Sequence, residues 1–95
     1  MNNTLSRESA ISEEFLVKIL SEVMEIDPTK ISPTIAFSEY GLDSLYGIQF
    51  VREIEDTIGR EIDLRGLYDH PTIREFSKYL NTLMRAPVNA SQVRA

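Results

Sequence analysis

The chain has 95 residues, 42% of them hydrophobic, which is enough for one small domain with a modest core and little stability in reserve. An enzyme with a deep, water-excluding cleft is hard to build at that size. A formal net charge of −5 repels nucleic acid and anionic lipid and attracts basic protein surfaces.

The acidity is concentrated in the middle: from Ile11 to Leu83 there are 14 acidic and 7 basic residues. With no basic patch, neither a nucleic acid nor a membrane is expected as a partner. The absence of cysteine excludes disulfides and thiolate metal sites, and it means that the chain supplies no thiol of its own. No apolar run is long enough for a signal peptide or a membrane span, so the default expectation is a cytoplasmic location.

In chain order, residues 1–10 and 85–95 are polar and aperiodic and read as flexible linkers. The compact unit is expected over 11–84. Ser12 begins the first helix as its cap, with Glu13 and Glu14 where the helix dipole favours negative charge. Phe15, Leu16, Ile19, Leu20 and Val23 follow at helical spacing. Asp27-Pro28 is expected to end this helix near Met24.

A long connection runs from Ile26 to Gly41, where Pro28 and Pro33 oppose helix. Its apolar residues Ile31, Ile35, Phe37 and Tyr40 predict a loop packed onto the body rather than a dangling one.

A second helix is predicted over Ser44 to Ile58, ended by Gly59. Gly47, Phe50, Val51, Ile54 and Ile58 share its core face. Leu45 and Ile48 fall off that arc, toward Gln49, Arg52, Glu55 and Asp56. They either form a partner surface or cover the loop. A short helix over Leu64 to Tyr68 comes next. Thr72 and Glu75 then match a capping box that starts a final helix ending near Met84, with Ile73, Phe76, Leu80 and Leu83 as its apolar stripe. No strand alternation is found, so the expected fold is all-α: a small four-helix bundle of three main helices plus one short one.

Little in the sequence supports catalysis. Ser44 has one histidine in the whole chain to serve as a base, and His70 sits in a turn before Pro71. A nucleophile elbow needs glycine two residues on either side of the serine, where Leu42 and Tyr46 stand. Calcium-loop spacing and phosphate-cradling glycine loops are absent, and one histidine makes no typical zinc site.

Two readings of Ser44 remain from the residues alone. It is a favoured N-cap type. It is also well placed for a covalently attached phosphate, because the free N–H groups and positive dipole at a helix start favour an anion. Exposed Asp43 would then help a metal-dependent transferase engage the hydroxyl, and Gly41 would let the loop turn tightly into the helix.

The stretch FSEYGLDSL over 37–45, together with LYDHPTI over 67–73, resembles the acyl carrier proteins and, within them, the carrier domains of modular polyketide synthases. The likeness spans Ile11 to Leu83. It implies that Ser44 receives 4'-phosphopantetheine from coenzyme A through a phosphopantetheinyl transferase, with Asp43 as the acid of the motif. The thiol missing from the chain then belongs to the cofactor.

The resemblance also implies a non-catalytic carrier, monomeric as an isolated domain, that holds polyketide intermediates as thioesters and docks with ketosynthase and other acyl-processing enzymes. Leu45, Ile48, Gln49, Arg52, Glu55 and Asp56 occupy the face that such carriers present to partners. Arg52 and the uncharged Gln49 depart from the usual character of that face and suggest selectivity for particular enzymes. Some carriers serving β-branching enzymes have tryptophan six residues after the serine; Phe50 stands there, and its place on the core wheel accounts for it. The alternatives are a discrete fatty-acid-type carrier, or a helical interaction domain in which Ser44 is only a cap.

Overall fold

The computed structural model describes residues 10–85. The expected linkers therefore fall outside the described residues, apart from Ala10 and Arg85. Four α-helices follow in order: α1 Glu13–Met24, α2 Ser44–Ile58, α3 Leu64–Asp69 and α4 Ile73–Arg85. Among the described residues the only β-type pairing is an isolated antiparallel bridge between Ala36 and Thr72.

The first helix starts as expected: the Ser12 hydroxyl oxygen accepts the Phe15 N–H at 3.0 Å. Its stripe buries Leu16, Ile19 and Leu20. It ends at Met24 as expected, but by a different stop. Glu25, not Asp27-Pro28, stops the helix by turning left-handed at φ 59°, with its N–H on the Ser21 carbonyl. Pro28 instead opens a 3-10 turn, Pro28–Lys30, capped by Asp27. The Asp27 carboxylate accepts the N–H and hydroxyl of Thr29, which hold its pKa below the ordinary value.

The connection is structured, and it is pinned to the beginning of α4. Phe37 donates its N–H to the Pro71 carbonyl at 2.7 Å, and Arg74 donates to Pro33 at 2.9 Å. The Tyr40 hydroxyl accepts the Ser32 N–H at 2.6 Å and closes the loop on itself. Ile31 and Phe37 are buried, as the loop's apolar content predicts. Ile35 is not; 42% of it is exposed.

Phe37 is the loop's anchor. Its ring packs edge-on against Phe50 of α2 at 5.5 Å and Phe76 of α4 at 6.0 Å, and those two rings lie 6.0 Å apart. Each such pair contributes roughly 0.5–1.5 kcal/mol beyond the area it buries. α1 packs on α2 and α4, and short α3 closes the bundle against the same two helices.

The α3–α4 contact depends on Gly66. A Cβ there would lie 2.6 Å from the Tyr79 ring. Tyr79 also stacks on His70 at 4.6 Å, which fixes that half-buried turn histidine. Burial, followed by the nearby Asp63 and Asp69 charges, raises the Tyr79 phenol above its ordinary value.

The second helix matches its predicted bounds, and Gly59 ends it in the left-handed region at φ 73°. Gly47, Phe50, Val51 and Ile54 are buried, and Ile58 is half-buried. The short helix begins on the Asp63 cap. Of the predicted capping box, Thr72 supplies its half: its hydroxyl oxygen accepts the Glu75 N–H at 3.1 Å. Before α1, Ile11 is clasped to α4. Its N–H donates to the Asn81 side chain, and its carbonyl accepts from the Ser77 hydroxyl and the Asn81 amide.

Candidate functional site

The chain approaches Ser44 through a second 3-10 turn, Phe37–Tyr40. Gly41 leaves that turn left-handed at φ 87°, with its N–H on the Phe37 and Ser38 carbonyls. An L side chain is strained there, so this glycine sets the angle at which the loop enters α2. Leu42 is half-buried, and Asp43 comes next at the helix boundary.

Asp43, not Ser44, is the N-cap. Its backbone is extended, and its Oδ1 accepts the Tyr46 N–H at 3.0 Å. Ser44 is the first residue inside the helix and is exposed. This corrects the reading of Ser44 as only a cap: the hydroxyl is not spent on the helix start, and among the described residues it makes no hydrogen bond. It stands at the positive end of a 15-residue helix, beside N–H groups that lack carbonyl partners in the first turn. A phosphate ester on this oxygen fits the site. Asp43 is exposed, and one of its carboxylate oxygens remains outside the cap bond.

The six residues expected on the partner face divide into three kinds. Leu45 and Ile48 both reach solvent, at 65% and 38% exposure. Gln49, Arg52 and Asp56 line a groove of about 500 Å³ with Glu22 and Val23 of α1 and Glu53. Glu55 is engaged inside the fold, where its Oε2 accepts the Ile62 N–H at 2.8 Å and ties the α2–α3 connection to α2. Phe50 is fully buried.

Sequence reasoning missed two exposed tyrosines, Tyr46 at 39% and Tyr68 at 56%. Tyr46 carries a detectable signal, since it lies outside the core arc of α2. Tyr68 reaches the same end of the bundle only through the fold. It lines a small cavity of about 100 Å³ together with Phe37, Leu42, Asp43, Leu67 and Pro71. Among the described residues no group of three or more histidine and carboxylate side chains could hold a metal ion, and no helix is long and apolar enough to cross a membrane. The stacked His70 makes no hydrogen bond to Ser44 among the described residues.

Residues 14–80 match the family described as "Phosphopantetheine attachment site". The chain is 34% identical over 77 residues to polyketide synthase PksL of Bacillus subtilis, covering 81% of this chain and 2% of that one. It is 31% identical over 77 residues to polyketide synthase ThaG of Burkholderia thailandensis, covering 79% of this chain and 1% of that one. It thus spans a very small part of the relatives' length.

Among solved structures, a free-standing peptidyl carrier protein from Acinetobacter baumannii superposes with a TM-score of 0.72 at 27% identity, covering 77% of this chain and 91% of that one. The HMG-ACPI domain from the CurA module of Lyngbya majuscula gives 0.71 at 28% identity, covering 76% and 73%. The chain belongs to the phosphopantetheine-attachment family, carrier domains of helical-bundle fold that bear 4'-phosphopantetheine as a covalent group.

Proposed function

We propose that Ser44 is the attachment point and that this domain carries polyketide intermediates as thioesters on its 4'-phosphopantetheine arm. The observation that supports this most is the exposed Ser44 hydroxyl at the first position of α2, with the capping duty taken by Asp43. Ser44 Oγ would form the phosphoester at the phosphorus that bears pantetheine, as the pyrophosphate P–O bond of coenzyme A breaks, 3',5'-ADP leaves and the transferase takes the hydroxyl proton. The helix N-terminus favours the resulting negative charge. The bound arm supplies the thiol that the chain lacks. The free carboxylate oxygen of Asp43 is available to the transferase during loading.

The polyketide assignment draws on PksL and ThaG, both polyketide synthases. Carrier domains are in general non-catalytic parts of synthases served by a phosphopantetheinyl transferase. We read this domain as one of them, a cytoplasmic monomer in isolation. Its partners are that transferase, a ketosynthase and other acyl-processing enzymes. Leu45 and Ile48 give them apolar contact area, Arg52 and Asp56 sort them by charge, and Gln49 adds an uncharged hydrogen-bonding amide.

Intact-protein mass after incubation with coenzyme A and a broad-specificity transferase tests the central claim. The expected result is a gain of one arm in the wild type and none in Ser44→Ala. A folded wild type that gains nothing would overturn it.

A further inference from the structure

A small cavity lies at the start of α2, next to Ser44. It is bounded by Phe37, Ser38 and Leu42 from the loop, Leu67 and Tyr68 from α3, and Pro71, with Asp43 also lining it. Its walls are largely apolar. At about 100 Å³ it is well below the roughly 300 Å³ at which pockets begin to enclose a whole small molecule. It can take a branched hydrocarbon group but not a polyketide chain.

Beside this cavity α2 and α3 are packed closely. Gly47 of α2 lies against Leu67 of α3 so closely that a Cβ on Gly47 would stand 3.2 Å from Leu67 Cδ2. Behind that contact Phe50 and Ile54 are fully buried.

We propose that this cavity seats the branched dimethyl group at the head of the phosphopantetheine arm and leaves the thioester and its cargo outside the bundle. The inference rests on Ser44 being the attachment point. In the arm, the carbon bearing the two methyl groups is separated from phosphorus by one oxygen and one methylene. A phosphate on Ser44 therefore holds that carbon near Asp43, which lines the cavity. The tether makes the local concentration of the group high, so weak apolar contacts are enough to bias the arm toward one side of the helix start. Tyr68, although exposed on one side, supplies an aromatic wall of that seat.

The test is carbon-edited NMR on the holo domain, with loading read independently by intact mass. The expected result is cross-relaxation between the arm's paired methyl groups and the methyl groups of Leu42 and Leu67, with amide shifts concentrated at Leu42, Asp43 and Tyr68. Attachment of an octanoyl group is expected to leave Phe50 and Ile54 resonances unmoved. In Tyr68→Ala, brought to full loading by mass and checked for helix content, the cross-relaxation should fall and the arm methyl shifts should approach those of free pantetheine. A wild type that gains the arm mass but shows free-pantetheine shifts would overturn the seat and leave attachment standing. Octanoyl-dependent shifts at Phe50 and Ile54 would overturn the placement of the cargo outside the bundle. No mass gain would overturn both the seat and the attachment beneath it.

Discussion

Ile48 and Phe50 are two positions apart on α2 and lie on nearly opposite sides of it, about 200° around the helix axis. Phe50 is fully buried among Phe37 and Phe76, whereas 38% of Ile48 is open to water beside an exposed Leu45. The two apolar faces of one helix therefore have different work. One holds the loop that leads to Ser44, and the other is the face proposed above for partners. Substitutions that remove similar amounts of apolar surface should separate these two roles.

The largest effect is expected from Phe50→Ala, which should cost about 3–5 kcal/mol in a urea titration. A domain of this kind has only about 5–15 kcal/mol in total, so the variant should be near unfolding. A loss under about 1 kcal/mol would show that the aromatic cluster does not hold the loop. Gly66→Ala comes next, at about 1–3 kcal/mol, because the new methyl group must displace Tyr79. The His70 and Tyr79 ring resonances should move with it, and unchanged rings would contradict the close approach.

Asp43→Ala should cost about 1 kcal/mol through the lost cap, and Asp43→Asn should recover most of that. If Asn restores stability but not the rate of arm transfer, the carboxylate's charge acts in loading as well as in capping. If both recover together, capping is its whole contribution. Smallest in stability, Leu45→Ser combined with Ile48→Ser should stay within about 0.5 kcal/mol of the parent. The same pair should weaken binding to the transferase or a ketosynthase by about 1 kcal/mol or more, measured by titration calorimetry. A large loss of stability with unchanged affinity would reverse the assignment of the two faces.

The contrast also explains what could be read before folding. Local rules fixed the α2 bounds, the Ser12 cap and the Gly59 stop, because each depends on residues within a few positions. Asp43 and Ser44 are both good caps, and propensity does not choose between them. The choice follows from where Gly41 and the half-buried Leu42 release the chain into the helix. Glu25 was missed because a left-handed glutamate is rare, while the nearby proline gave the more familiar stop signal. The internal hydrogen bond of Glu55 and the wall formed by Tyr68 depend on segments that come together only in the fold. Ser44, proposed above as the attachment point, stands out by its motif. The cavity beside it does not, since its walls come from three separate stretches.

The clasp at Ile11 has a mechanical consequence. The chain enters the bundle held by Ser77 and Asn81 of α4, the same helix along which it leaves at Arg85. Within a longer polypeptide, tension between the flanking segments would load this hydrogen-bonded clasp and the end of α4 first. The aromatic cluster and the Ser44 end lie outside that direct load path. Pulling on the two ends would thus strain the clasp before it disturbs the turn that leads into Ser44.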